Sequence, residues 1–434
     1  MRPWRSWWKS SALFLGLILL VLFLVLAVSP VLHHSNGSAT GSPTSTAGGN
    51  HLASSSGISS FPDTWNDVHV FQDFDYNVPY SNLTTLAERY GAVWGNNVEH
   101  IQPLHAANPH MYLGYYIPFH RDWGTFPGYW SREDLAYWQA NHPDWVLYQC
   151  DRRTPALEFG DPNIPLDFSN PAVIAWQIDT YAKPAAAHGY NAIAADNVNL
   201  RNYYGACGFY HNKQWVQRYT GRMDDAQWRA DVINWVKTMQ KALHALPHPL
   251  ALIPNFSAGN AAAAGPDVQQ AVSYMDGVED EDGFTSQGTG YVTGDDWVQR
   301  VHFMESVQQQ HKAYYLIEQF PSVGRAEIQW ALATYLMGKG HAAWLFISPV
   351  QGYGTDLWHE EYAAHVGSPL APMYEQQQVY FRDYSHGLSI VNPSATATYT
   401  VTLKAGKSYS DLYGKRVGPV VVVPPHSGMV LLQH

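Results

Sequence analysis

Charge is scarce in this chain of 434 residues: only 14% of its residues are charged, and their formal sum is −11. A net negative charge repels nucleic acids and anionic lipid surfaces, and the sequence has no cluster of Lys and Arg to oppose that repulsion locally. We therefore expect no nucleic-acid partner. The low charge comes with 46% hydrophobic residues, which indicates a large folded core.

Cysteine and cofactor motifs are also scarce. Cys150 and Cys207 are the only cysteines. They can pair in an exported protein, and two unrelated thiols are the alternative that their spacing leaves open. The sequence has no Cys/His cluster of the structural-zinc type and no Gly-rich phosphate loop after an early strand, so we predict neither a metal nor another cofactor.

The N-terminal segment is dominated by an apolar run. Residues 12–29 contain no charge and follow a positively charged stretch, residues 1–11. The run is at the lower limit for spanning a bilayer, and the positive residues before it predict a cytoplasmic N-terminus and an exported remainder. We predict an uncleaved membrane anchor, with a cleaved signal peptide as the alternative. Residues 30–60, rich in Ser, Gly and Thr, predict a flexible linker.

The rest of the chain alternates between short apolar runs and longer segments of helical period. The runs predict eight strands, at residues 68–75, 91–97, 111–119, 190–198, 249–256, 276–284, 313–320 and 341–348. Continuous apolar strands separated by helices favour a parallel sheet that is covered by helices, and eight such units predict an α/β fold, a (β/α)8 TIM barrel, over residues 61–370. An open doubly wound sheet is the alternative. From residue 371 to 434, short alternating strands with Gly, Pro and Asn turns predict a small all-β sandwich domain.

Polar side chains stand near the ends of these predicted strands. Since the carboxyl ends of all barrel strands lie on one face, we expect these residues to converge there. The candidates are Asp73, Asp75, Asn96, Asn97, Asp196, Asn197, Asn255, Glu279, Glu281 and Glu318, with the aromatic residues Trp94, Tyr116 and Trp344 near the same ends. Carboxylates among aromatic rings suit glycoside cleavage, which needs one carboxylic acid and one ionised carboxylate.

We assign catalysis to Asp196, Glu281 and Glu279 among these candidates, and substrate binding to all the others. Asp196 ends an apolar strand abruptly, in "AIAADNVN". Strand alternation puts Glu279 and Glu281 on the same face, with Glu281 nearer the tip. Glu318 is expected to bind sugar hydroxyls or to take part in the reaction.

Several short motifs carry a resemblance to a known family. They are "VWGNN", "LGYYIP", "HPDWVLYQCDR", "LDFSNPAVIAWQ", "GYNAIAADNVN" and "DGVEDEDGF", followed by the β-rich tail. In this order the chain resembles hypothetical glycosyl hydrolase family 15, and more distantly endo-α-1,4-polygalactosaminidase and α-galactosidase-type barrels. The resemblance implies that Asp196 is a nucleophile, that Glu281 or Glu279 is the general acid, and that the anomeric configuration is retained.

The predicted function is that of an extracellular glycoside hydrolase tethered to a membrane, with a carbohydrate substrate and no obligate protein partner. A non-catalytic carbohydrate-binding barrel is one alternative, and a metal-dependent barrel deacetylase that uses Asp73, Asp75 and nearby His is another. In the oxidising compartment that export implies, we predict that Cys150 and Cys207 form a disulfide between the loops after strands 3 and 4. Their Cα atoms should then lie within about 7 Å of each other.

Overall fold

The computed structural model describes residues 57–122, 133–160, 163–256 and 265–434. The predicted anchor and nearly all of the predicted linker lie outside these residues. Within the part of the chain that is described, none of the helices has the length and apolar character needed to cross a bilayer.

Eight parallel strands form the centre of the fold. They are β1 Phe71–Phe74, β2 Ala92–Gly95, β3 Tyr112–Pro118, β4 Ala192–Asp196, β5 Ala251–Leu252, β6 Gly277–Asp280, β7 Ala313–Phe320 and β8 Ala343–Pro349. All eight predicted strands are confirmed, and the last one ends a single residue later than predicted. Their residues are almost all buried, which explains why the strands are apolar along their whole length.

Parallel pairing joins these strands into a closed ring. β1 to β5 form one parallel sheet in chain order, and β6 to β8 form a second one. Two parallel bridges connect these sheets, Asn255 with Glu279 between β5 and β6, and Val70 with Leu345 between β8 and β1. The fold is therefore a barrel, as predicted, and the alternative of an open doubly wound sheet is wrong.

Small side chains line one wall of the barrel interior, and large aromatic rings line the opposite wall. Alanines from β4 and β5, such as Ala194 and Ala251, lie in the same interior cluster as large rings from β1, β7 and β8, such as Phe71, Tyr315 and Phe346. A barrel of eight strands is just wide enough to be filled by side chains, so small residues on one wall make room for rings from the other. The interior of the barrel is thus packed with side chains.

Helices cover the outside of the barrel. The helices are Leu83–Arg89, Ile101–Ala107, Leu135–Asn141, Pro171–Gln177, Lys183–His188, Ala226–His244, Pro266–Ser273, Gly294–Gln309 and Arg325–Gly338, with a π turn at Ile178–Ala182 and 3-10 turns at Tyr80–Asn82, Val98–His100 and Glu360–Ala363. Polar side chains fix several helix starts: the Asp225 carboxylate accepts a hydrogen bond from the Trp228 amide at 2.9 Å, which satisfies one donor of the first turn.

The loops after β3 and β4 carry extra antiparallel strands. Arg121–Asp122 pairs with Ile164–Pro165, and Ala206–His211 pairs with both Tyr148–Gln149 and Gln214–Gln217. A disulfide between Cys150 and Cys207 joins the two loops, with Cα atoms 5.0 Å apart. The predicted disulfide and its position are confirmed.

The last part of the chain is a β sandwich. One antiparallel sheet has the order Tyr374–Gln376, Val379–Asp383, Gly387–Asn392, Ser427–Gln433, Tyr409–Asp411 and Arg416–Val417, and a second one pairs Tyr399–Thr402 with Val420–Val423. Apolar residues from both sheets, including Ile390, Val401 and Val423, form one buried cluster between them.

A buried arginine ties this sandwich to the barrel. Arg382 donates hydrogen bonds from Nη1 to the carbonyl oxygens of Leu336, Met337 and Lys339, at 2.9, 2.9 and 2.8 Å. These carbonyls end the helix Arg325–Gly338, where no further turn supplies donors. The guanidinium therefore caps the helix and places a positive charge at the negative end of its dipole.

Candidate active site

Asp196 lies at the carboxyl end of β4 and is held by four donors. Its Oδ2 accepts hydrogen bonds from the Tyr116 hydroxyl at 2.7 Å, Arg121 Nη2 at 3.1 Å and Asn197 Nδ2 at 2.7 Å. Its Oδ1 accepts one from Asn255 Nδ2 at 3.1 Å. Three donors on one oxygen fix the carboxylate, while the other oxygen keeps room for a further contact.

The amide of Asn255 connects two carboxylates across the barrel mouth. Its Nδ2 lies 3.1 Å from Asp196 Oδ1 and 2.8 Å from Glu281 Oε2. Because both oxygens contact the same nitrogen, Asp196 Oδ1 and Glu281 Oε2 can be at most about 6 Å apart. Asp196 and Glu281 thus form a close pair.

Glu281 has the surroundings of a general acid. Burial and the charge of Asp196 raise the pKa of its carboxyl, while hydrogen bonds from Tyr353 and Asn255 act in the opposite direction. The Tyr353 hydroxyl donates to Glu281 Oε1 and accepts a hydrogen bond from Gln319 Nε2 at 2.7 Å. The net upward shift keeps a proton on Glu281 at a higher pH than an ordinary glutamate would allow.

Arg121 brings a buried positive charge to this acidic site. Its Nη1 forms an ion pair with Glu158, and its Nη2 donates to Asp196. Burial raises the pKa of Glu158 to about 7 although the Arg121 charge acts to lower it. The guanidinium therefore fixes the position of Asp196 and offsets part of the negative charge around it.

A second carboxyl pair, Asp73 and Glu279, lies deeper in the barrel. Asp73 shares a strand face with the interior residue Phe71, and neither of its carboxyl oxygens has a hydrogen-bond partner among the described residues. Oε2 of Glu279 has none either. Burial and neighbouring carboxylates raise the pKa of both groups well above the usual range. This burial favours Glu281 over Glu279 as the acid, because only Glu281 is partly exposed.

The polar residues after β1 and β2 bind each other. Asp75 is fully buried and accepts hydrogen bonds from the Asn96 side chain and, at 2.8 Å, from the Asn97 amide. His100 Nδ1 lies 3.0 Å from the same carboxylate. Asp75 and Asn96 thus hold two loops together, while Asn97 is half-buried beside them.

Three further predicted binding residues, Glu318, Trp344 and Trp94, do not reach the mouth. Glu318 is fully buried on the outer face of β7, where its carboxylate accepts a hydrogen bond from the Phe284 amide at 3.0 Å. Burial raises the pKa of Glu318 to about 8. Trp344 is the second residue of β8, far from the carboxyl end, and stacks on Tyr315 at 4.9 Å. Trp94 is buried and donates to the Ile253 carbonyl at 3.0 Å.

Sequence analysis did not identify three residues of the site: Arg121, Glu158 and Tyr353. Arg121 lies three residues after the end of β3, and its place close to a strand end is the signal in the sequence that marks it. Glu158 and Tyr353 lie on loops after β3 and β8, and nothing in their local sequence marks them. Among the described residues, no group of three or more His, Cys, Asp and Glu is arranged to hold a metal ion.

The chain is similar to a known family and to several solved structures. The model of hypothetical glycosyl hydrolase family 15 matches residues 105–388, more than half of the chain. Isomaltulose synthase from Klebsiella sp. LX3 is similar in structure, with 9% identity, a TM-score of 0.50 and coverage of 86% of this chain and 100% of that one. A maltogenic alpha-amylase from Thermotoga neapolitana has 12% identity and a TM-score of 0.48, over 84% of this chain and 98% of that one. At 9% identity, the similarity to isomaltulose synthase shows the fold alone. None of the curated proteins compared with the chain matches it.

Proposed function

This chain belongs to hypothetical glycosyl hydrolase family 15 and is a glycoside hydrolase, and from the geometry of its site we propose that it cleaves O-glycosidic bonds in a poly- or oligosaccharide with retention of configuration. Asp196 is the nucleophile, and Glu281 is the general acid and base. The observation that carries this proposal is the single Asn255 amide that binds both carboxylates, because it brings one oxygen of each to within about 6 Å of the other, close to the separation of about 5–5.5 Å of the two carboxyl groups in retaining enzymes.

The first step forms a glycosyl-enzyme intermediate. Oδ1 of Asp196, which accepts only the Asn255 hydrogen bond among the contacts described above, attacks the anomeric carbon. Glu281 delivers its proton to the glycosidic oxygen as the bond between that oxygen and the anomeric carbon breaks. Arg121 stays on Oδ2 and keeps the attacking oxygen oriented.

The second step releases the sugar. Glu281, now ionised, takes a proton from a water molecule, whose oxygen attacks the anomeric carbon and displaces Asp196. The Tyr353 hydroxyl supports this step because it donates to the ionised form of Glu281. Two displacements at one carbon return the original configuration.

Extracellular action from a membrane anchor is part of the proposal. The disulfide between Cys150 and Cys207 supports an oxidising compartment, and the apolar run at residues 12–29 supports an anchor. The full chain should sediment with membranes, and deletion of residues 1 to 56 should release a soluble, folded and active enzyme. The deletion stops before the end of the predicted linker because Ile58 packs against the interior cluster of the barrel. An aggregated or inactive product would contradict this part of the proposal.

A panel of soluble polysaccharides and p-nitrophenyl glycosides of both anomeric configurations tests the activity. We expect hydrolysis of at least one member, with the first-formed product in the substrate's configuration by NMR. Asp196→Asn should lower kcat by several orders of magnitude, since the amide is nearly isosteric but a poor nucleophile. Inverted product, or an Asp196→Asn variant with wild-type kcat, would refute the mechanism.

A further inference from the structure

Phe159 combines two features that are unusual for a phenylalanine. Its side chain is 59% exposed, although it lies in a loop next to the buried Glu158. Its backbone has φ = +57°, in the left-handed region that bulky residues rarely adopt. Neither burial nor backbone preference accounts for a Phe at this position, and strained residues of this kind concentrate at functional sites.

Two neighbours hold the ring from within the protein. The Arg121 guanidinium carbon lies 5.7 Å from the ring centroid, a cation–π distance. The Tyr204 ring meets Phe159 edge-on, with centroids 5.5 Å apart and planes 70° from each other. The ring is thus fixed on its protein side, while more than half of its surface remains open to solvent.

The position of the ring relates it to the reaction. Arg121 lies against Phe159 and also donates to Asp196, so one side chain separates the ring from the nucleophile. The sugar unit that is bonded to the one Asp196 attacks would therefore lie beside Phe159. Sugar rings have an apolar face of C–H groups, which gains free energy by covering the face of an aromatic ring.

We propose that Phe159 is an aromatic platform that binds a sugar unit next to the glycosidic bond that is cleaved. This inference rests on the proposed function and deepens it: the substrate is a chain of several sugars, and an isolated glycoside leaves the platform empty. The strain of the left-handed backbone persists because it holds the ring at the rim, where fixing it in advance lowers the entropy cost of binding.

Variants at Phe159 can separate the ring from the backbone. Phe159→Gly removes the ring and suits the positive φ, so the fold should be kept. Phe159→Leu keeps the strain and the apolar character but loses the flat face, and Phe159→Tyr keeps the face. The matched control is His311→Gly, since His311 is exposed, has φ = +58° and precedes β7 at the opposite end of the barrel.

The measurement is KM and kcat for oligosaccharides of two to six sugars, taken from the polysaccharide that the panel identifies, and for the aryl glycoside of the same sugar. For Phe159→Gly and Phe159→Leu we expect KM for the longer oligosaccharides to rise by about 3- to 10-fold, the range of one lost aromatic contact. The aryl glycoside should show a smaller change. Phe159→Tyr should restore the wild-type KM, and His311→Gly should match the wild type on every substrate.

Two failures can be told apart. If the wild type hydrolyses oligosaccharides, and Phe159→Gly and Phe159→Leu change KM equally for long and short substrates, the platform is refuted while the proposed function stands. If the wild type hydrolyses no member of the panel, the proposed function fails and the platform fails with it. A lower Tm for Phe159→Gly than for His311→Gly would show that the ring serves the fold, and would also count against the proposal.

Discussion

Removal of the Tyr353 hydroxyl should move the alkaline limb of the pH–rate profile to higher pH. The hydroxyl donates to Glu281 Oε1, and this contact stabilises the ionised form of the acid. Tyr353→Phe leaves burial and the charge of Asp196 in place, and both of these raise the pKa of Glu281. The pKa of Glu281 therefore rises further, and the acid keeps its proton to a higher pH.

The size of the shift follows from one hydrogen bond. A hydrogen bond to a charged group contributes about 1.5–3 kcal/mol, and part of it persists when Glu281 is protonated, because Tyr353 can then accept the proton instead. A difference of about 1.4 kcal/mol between the two states corresponds to about one pKa unit. We therefore expect the alkaline limb of kcat/KM to move upward by about one pH unit.

The assay is kcat/KM against pH with an oligosaccharide, because a poor leaving group makes the rate depend on the proton of Glu281. Tyr76→Phe is the control: the Tyr76 hydroxyl lies 3.4 Å from the Tyr353 carbonyl oxygen and is exposed, so its loss should leave the limb in place. If the pKa of the alkaline limb stays the same or falls in Tyr353→Phe, Glu281 is not the general acid whose ionised form Tyr353 stabilises.

Two further predictions concern the carboxylates. Glu281→Gln should lower kcat/KM by about 10²- to 10⁴-fold on oligosaccharides and far less on p-nitrophenyl glycosides, which need no proton; if Glu279→Gln shows this dependence instead, the acid is misassigned. Burial raises the pKa of Glu318 to about 8 from 4.5, so the folded chain retains a proton that the unfolded chain loses, and stability falls as pH rises through this window. Glu318→Gln should gain up to about 1.4 kcal/mol of unfolding free energy per pH unit relative to the wild type, measured by urea unfolding at pH 5 and pH 8, and parallel curves for the two proteins would contradict the shift.

The barrel could be predicted from sequence because its strands repeat one physical requirement. A parallel strand buried on both faces is apolar throughout, and runs such as "AYYLIEQF" and "AIAAD" show this without any knowledge of their partners. The convergence of Asp196 and Glu281 followed from the same rule, since both stand where an apolar strand ends. Loops offer no such rule, and for that reason Glu158 and Tyr353 were not identified.

The face of a strand to which each side chain points could not be predicted from the sequence at the end of β7. Glu318 and Gln319 are neighbours at the end of β7, and composition gives no reason to prefer one of them. In the structure Gln319 contacts Tyr353 at the mouth, while Glu318 faces the Phe284 amide among the helices. Because successive side chains of a strand point to opposite faces, an error of one position exchanges a site residue for a buried one.

The cap that Arg382 forms on the helix Arg325–Gly338 joins the two parts of the catalytic unit into one cooperative structure. Without the sandwich, the carbonyls of Leu336 and Met337 would lose their donor beside the strand β8, which follows this helix and completes the ring. Deletion of the sandwich from an engineered enzyme should therefore destabilise the barrel. Barrel and sandwich should unfold in a single thermal transition. Substitutions at the contact between them, far from the active site, should therefore change the Tm of the whole enzyme.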